Sequence, residues 1–74
     1  MTGADIKKRI LETFSAVTFK YQGKNCGVDP FSMKKFCLWF GNKEQYTTSI
    51  EETMTTKFFG GKSLVEIAEL IQID

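Results

Sequence analysis

The 74-residue chain has no histidine and only two cysteines, and each scarcity excludes a kind of chemistry. Without histidine it lacks the usual general base at neutral pH and the commonest zinc ligand. Its two thiols leave a structural zinc site two strong ligands short. We therefore predict a protein that is not an enzyme, with no catalytic residue, no metal and no cofactor.

Long apolar stretches are also missing. The longest unbroken apolar run has five residues, Phe36–Phe40, whereas a helix that spans a bilayer needs about 20. The first residues, MTGADIKKRILETF, place charges where a signal peptide has its apolar region. We expect a cytoplasmic protein with no membrane partner, a single small globular domain over residues 1–74 that is a monomer or weak dimer.

Cys26 and Cys37 are the only thiols. Small secreted proteins held by disulfides usually carry more cysteines, so we expect two buried free thiols that behave as small core residues. The alternative is a disulfide across one hairpin, in a small redox or regulatory thiol protein. That alternative predicts a reversible bond between Cys26 and Cys37.

The hydrophobic pattern begins with helical spacing. Apolar side chains from Ile6 to Phe14 recur along one face, which predicts a helix over residues 4–15. Thr2 followed by Asp5 three residues later resembles a capping pair.

The period then changes to two, the pattern of half-buried strands. We predict strands over residues 17–22, 25–28 and 34–40, the second ended by Asp29-Pro30, followed by a polar turn over residues 41–44. Helical signals return with a helix over residues 50–57 and a last helix that begins with a capping box at Ser63. The expected fold is α+β, with an N-terminal helix, a three-stranded antiparallel meander and two short C-terminal helices packed on one sheet face.

Gly61-Lys62-Ser63, ahead of the last helix, resembles the end of the phosphate-binding pattern G-x-x-x-x-G-K-[ST]. The first glycine of that pattern is replaced by Thr56, so the pattern fails. A helix break followed by a helix cap explains the same residues.

Aromatic residues are the most informative feature that is present. Six of the ten aromatic residues fall between residues 19 and 40, namely Phe19, Tyr21, Phe31, Phe36, Trp39 and Phe40. Lysines 20, 24, 34 and 35 alternate with them. One interpretation is a sheet core built from residues such as Phe19, Phe36, Leu38 and Phe40. The other is a surface on which single-stranded bases stack while the lysines neutralise phosphates.

The net charge of +1 conceals an uneven distribution. Residues 1–43 carry a net charge of +5 and residues 44–74 a net charge of −4. Such a split can steer a charged partner, unless the acidic helices pack beside the basic elements and cancel them locally.

Together these observations predict a small interaction module that binds another protein through an aromatic and basic sheet surface. Tyr21 and Trp39 are the candidate anchors, each with an apolar body and a polar tip, and Lys20 and Lys35 are the candidate rim. The alternative is weak single-stranded nucleic-acid binding through the same surface.

Overall fold

The computed structural model describes residues 2–73 and arranges them in an α+β fold. The elements follow in the order α1 Gly3–Thr13, β1 Val17–Tyr21, β2 Lys24–Ser32, β3 Lys35–Phe40, β4 Lys43–Thr47, α2 Ile50–Thr55, α3 Leu64–Ile67 and a 3-10 turn at Ala68–Leu70. The predicted α+β class is confirmed. The predicted number of three strands is wrong, because the sheet has four.

Helix α1 begins at the predicted cap and ends before the predicted boundary. The Thr2 hydroxyl accepts a hydrogen bond from the Asp5 N–H, and the Thr2 N–H donates to the Asp5 carboxylate, which completes a capping box. Phe14 has a left-handed φ of 45° and donates its N–H to the Ile10 carbonyl. This conformation turns the chain away from the helix, so residue 15 lies outside it.

The four strands form an antiparallel meander in the order β1-β2-β3-β4. Val17 pairs with Val28, and Val28 pairs with Leu38, so these side chains share one face. Because side chains alternate along a strand, their neighbours in sequence point to the opposite face. We call the face that contains Val28 the inner face and the opposite one the outer face.

Strand β4 replaces most of the predicted polar turn. The turn is confined to Gly41 and Asn42, with Gly41 at a φ of 62°. Strand β4 then pairs with β3 from Lys43 to Thr47. It is an edge strand in which only Thr47 is buried, so it has no apolar alternation from which it could have been predicted.

Strand β2 is longer than predicted and contains Pro30, the residue expected to end it. Strand β1 pairs with β2 only as far as Val28, so Pro30 has a strand partner on one side alone, Phe36 of β3. Beyond Val28 strand β2 therefore has a free edge, where a strand accommodates the missing N–H of proline. The register shifts between Pro30 and Ser32.

Both C-terminal helices are present and are short. Helix α2 stops before residue 57 because Thr56 adopts an extended conformation, with φ −67° and ψ 129°. The predicted capping box at Ser63 is present, since its hydroxyl accepts from the Glu66 N–H and its own N–H meets the Glu66 carboxylate. Helix α3 makes one turn and passes into the 3-10 turn.

One hydrophobic core joins the inner face of the sheet to the helices. Among its largest fully buried side chains are Phe19, Phe36, Phe59, Ile6, Ile10 and Leu38. All four residues predicted for the core, Phe19, Phe36, Leu38 and Phe40, are buried in it.

Candidate functional site on the outer face of the sheet

The outer face carries a second group of large side chains, separate from the core. On β3 the outward positions are Cys37 and Trp39. Cys37 pairs with Asp29 of β2 on one side and with Tyr46 of β4 on the other, and Trp39 pairs with Glu44. The meander therefore brings aromatic rings and carboxylates from three strands onto one surface.

These side chains line an open groove with a volume of about 320 Å³. The groove is bounded by Asp29, Phe31, Cys37, Trp39, Gly41, Asn42, Glu44 and Tyr46. The carboxylates come from the two strands on either side of β3. Neighbouring strands lie about 4.8 Å apart, so these two acidic residues belong to opposite walls of the groove.

Trp39 is half-buried and lies against the glycine beside it. A Cβ atom at Gly27 would overlap the six-membered ring of the indole and approach the Val17 carbonyl oxygen to 2.5 Å. The indole therefore covers the space where a larger residue would project. One side of its ring system rests on β2, and the groove gives access to the rest of it.

Cys37 forms the floor of the groove. It is only 5% exposed although it lies outside the hydrophobic core. Its Sγ lies 3.7 Å from Glu44 Oε2. Burial raises the pKa of the Cys37 thiol, and the negative charges of Glu44 and Asp29 raise this pKa further. These effects favour the neutral thiol, which is the opposite of what a nucleophilic cysteine requires.

Lys35 closes one end of the outer surface. Its Nζ lies 4.9 Å from the centroid of the Tyr46 ring and 5.6 Å from that of Phe31. The two rings are themselves 6.0 Å apart. These distances fall within the range of cation–π attraction.

The structure separates the four residues predicted to form the partner-binding surface. Trp39 and Lys35 both belong to the outer face, and Lys20 is an exposed residue of β1 on the same face. Tyr21 shares the inner face with Phe19 and packs against the core, with its ring 6.4 Å from that of Phe40. Tyr21 therefore cannot join Trp39 in one contact surface.

Besides Gly41 and Asn42 of the turn, five groove residues were not predicted from the sequence as site residues, namely Asp29, Phe31, Cys37, Glu44 and Tyr46. Glu44 and Tyr46 could not be placed, because β4 was not predicted. The one sequence signal that could have found part of the groove is the spacing of Cys37 and Trp39, which puts both on the same face of a predicted strand.

The two thiols lie on opposite faces of the sheet. Cys26 pairs with Phe40 in the register of β2 and β3 and is buried in the core, whereas Cys37 is on the outer face. Both are free. The hairpin places their backbones on adjacent strands, but their side chains diverge, so this fold does not bring them together for a disulfide.

Two other features of the sequence have structural explanations within residues 2–73. Gly61 turns the chain with a φ of 84°, and Ser63 caps α3. The basic and acidic parts of the chain meet where Lys7 Nζ of α1 lies 3.1 Å from Glu51 Oε1 of α2. Local cancellation of the split charge distribution therefore occurs at the helical layer.

Within residues 2–73 no group of three or more Cys, Asp or Glu side chains is placed to hold a metal ion. Nor does this part of the chain contain a helix with the length and apolar character needed to span a membrane. No family model matches the chain, and no curated protein or solved structure matches it either.

Proposed function

We propose that this chain is a non-catalytic interaction module that binds another protein through the outer face of its sheet. The observation that carries the proposal is the groove around Trp39, which gathers three aromatic residues on a face that the helices leave open. Aromatic side chains surrounded by polar groups are typical of the residues that dominate protein interfaces. Trp39 is the anchor in this proposal, and Lys35 and Lys20 belong to its rim.

The chemistry of the groove supports binding more than catalysis. The Cys37 thiol has a carboxylate beside it, 3.7 Å away at Glu44, and burial and then that negative charge raise the pKa of this thiol. A nucleophile needs a base or a positive charge to form its thiolate. The aromatic rings and carboxylates of the groove are better suited to recognising a side chain.

Single-stranded nucleic-acid binding is less well supported on the same surface. Trp39 could stack a base, and Lys20 and Lys35 could approach phosphates. However, Asp29 and Glu44 line the groove beside the indole and would repel a phosphate backbone. This alternative predicts an affinity that falls steeply with added salt.

The test is affinity capture from the native cell with three baits, the wild type, Trp39→Ala and Leu70→Ala, followed by identification of bound protein and nucleic acid. Leu70 is 73% exposed on the helical side, so its variant removes an exposed apolar side chain away from the groove. The identified partner is then purified and its affinity measured directly. We expect Trp39→Ala to weaken binding about 30-fold, as for a central interface residue, and Leu70→Ala to leave it unchanged.

Amide NMR spectra of each bait establish that it is folded before its affinity is compared. A partner that binds Trp39→Ala as tightly as the wild type would exclude the proposed surface. Capture of nucleic acid alone, with an affinity that depends strongly on salt, would replace the proposal with the alternative.

A further inference from the structure

We infer that the groove receives the cationic side chain of an arginine or lysine from a polypeptide segment of the partner, with arginine preferred. This inference rests on the proposed function and specifies its partner. The juxtaposition that carries it is Trp39 in one groove with two acidic residues, Glu44 on β4, which pairs with Trp39, and Asp29 on β2, which pairs with the neighbouring outward residue Cys37.

The first argument is charge complementarity. Asp29 and Glu44 line opposite walls of the groove, and neither forms an ion pair with another residue in the part of the chain from 2 to 73. Asp29 is half-buried. An apolar side chain that filled the groove would remove water from both carboxylates without neutralising them, which is unfavourable. A cation would neutralise them as it displaces the water.

The second argument comes from the aromatic rings. The faces of Trp, Tyr and Phe rings attract cations, and Trp does so most strongly. The groove already demonstrates this at one end, where the Lys35 ammonium lies over the rings of Tyr46 and Phe31. Trp39, which pairs with Glu44 in the register of β3 and β4, has no such cation over its ring among the described residues.

The third argument concerns shape. A volume of about 320 Å³ is at the lower end of the range for ligand pockets, so it suits one side chain and the backbone beside it. Arginine has a planar guanidinium that stacks on an aromatic ring and donates hydrogen bonds from several edges at once. In this groove it could lie against Trp39 while its N–H groups point to both carboxylates. The ammonium of lysine cannot stack in this way and should bind more weakly.

The test uses blocked tripeptides as probes of the whole chain. Gly-Arg-Gly is titrated into the labelled protein and followed by amide and indole NMR shifts, in parallel with peptides that have lysine, citrulline or glutamate in the centre. Citrulline has nearly the same shape as arginine but no charge. We expect saturable shifts at the Trp39 indole N–H and at Cys37 and Tyr46 with millimolar arginine peptide, weaker ones with lysine, and none with citrulline or glutamate.

Variants connect the binding to the two carboxylates. We expect Asp29→Asn and Glu44→Gln each to lower the affinity for the arginine peptide about five-fold, which corresponds to the loss of one charged contact at a solvent-exposed site. Glu69→Gln, an exposed carboxylate of the 3-10 turn, is the matched control and should change nothing. Equal shifts from the arginine and citrulline peptides, or equal affinities for all three variants, would overturn the inference.

The outcomes also separate this inference from the proposed function. If no arginine or lysine peptide binds while an identified partner still depends on Trp39, the cationic side chain is excluded and the interaction surface stands. If the partner binds Trp39→Ala as tightly as the wild type, both proposals are excluded. Spectra that are unchanged outside the groove establish that each variant is folded.

Discussion

Gly27 and Trp39 face each other across β2 and β3, and the outer surface depends on this pair. Because a Cβ at Gly27 would overlap the indole, Gly27→Ala must displace the ring, shift the strand or both. Overpacking of this kind costs about 1–3 kcal/mol, so we expect a loss of that size in the free energy of unfolding, measured by urea denaturation with Trp39 fluorescence. Thr18→Ala, an exposed neighbour of Gly27 on β1, is the control. An unchanged denaturation midpoint for Gly27→Ala would contradict the packing described here.

The second prediction at the scale of single residues concerns the Cys37 thiol. Burial is the largest cause of its raised pKa, and the charge of Glu44 is the next. Glu44→Gln removes that charge, so the thiol pKa should fall and more thiolate should be present at pH 8. We expect alkylation of Cys37 by iodoacetamide to become several-fold faster, as measured by mass spectrometry of the labelled peptides.

Cys26 provides the internal control for that experiment. It is buried in the core, so its labelling reports transient unfolding of the whole chain. If the Cys26 rate rises in parallel with that of Cys37, the acceleration reflects lost stability. An unchanged Cys37 rate in Glu44→Gln would show that the carboxylate does not control the thiol.

At the scale of elements, a pair of buried hydroxyls joins β4 to α2. The hydroxyl of Thr53 donates to the Ser49 carbonyl at 2.8 Å, which leaves its oxygen to accept from the Thr47 hydroxyl. Both threonines are fully buried. The two valine substitutions should therefore differ in their effect on the free energy of unfolding, although both remove one hydroxyl.

Thr53→Val leaves the Thr47 hydroxyl buried without its acceptor, which costs about 1–3 kcal/mol. Thr47→Val leaves Thr53 still bonded to Ser49, so its cost should be smaller, under about 1 kcal/mol. Chemical denaturation of both variants measures the difference. Equal losses would mean that the direction of this hydrogen bond is reversed or that the pair does not hold β4 in place.

A second element-scale prediction concerns pH and the start of α3. Glu66 accepts from the Ser63 N–H and forms an ion pair with Lys57 at 2.7 Å. The hydrogen bond from Lys57 and then that from the Ser63 backbone lower the pKa of Glu66 to about 2. A carboxyl group with a lowered pKa stabilises the fold above its unfolded pKa of about 4.3, and this contribution is lost as the pH falls toward 2.

Glu66→Gln keeps a side chain that can accept from Ser63 and removes only the charge. We expect the variant to lose less stability than the wild type between pH 4.5 and pH 2, as measured by thermal unfolding at a series of pH values. Because Glu66 is exposed to solvent, high salt should reduce the part of this pH-dependent stabilisation that comes from the ion pair with Lys57. Identical pH profiles for the two proteins would contradict the assignment.

The elements also show which parts of this fold can be predicted from sequence. Apolar periodicity identified α1, β1 and β3, and capping residues identified the start of α3, because those signals are local. Strand β4 has only one buried residue, so nothing in its sequence distinguishes it from a turn. The extension of β2 through Pro30 depends on where β1 ends, which is a property of the sheet and not of the residues around the proline.

For the molecule as a whole, the same limit applies to the site. The sequence analysis proposed Trp39 and Lys35 as site residues because aromatic residues and lysines are conspicuous, and the two do share the outer face, but it grouped Tyr21 with them. Which aromatic residues form the core and which form the surface depends on register, since a shift of one residue exchanges the faces of a strand. Glu44 lies on β4, a strand that was not predicted. The sequence analysis therefore described the surface as aromatic and basic and missed this acidic residue.

The division of the aromatic residues leads to a prediction for the whole molecule. A chain of this size should have a free energy of unfolding of about 4–11 kcal/mol. Phe19 is 1% exposed in the core and Phe31 is 50% exposed beside the groove. Phe19→Ala should cost about 3–5 kcal/mol, a large part of that total, whereas Phe31→Ala should cost less than about 1 kcal/mol.

Phe31→Ala should nevertheless lower the affinity of the groove for a ligand, because Phe31 lines its wall and contacts Lys35 together with Tyr46. Urea denaturation and titration with the arginine peptide, carried out on both phenylalanine variants, test the two halves of this argument. A large stability loss in Phe31→Ala would mean that the outer aromatic residues also hold the fold together. Stability unchanged and binding reduced would establish that this small protein keeps its core and its contact surface on opposite faces of one sheet.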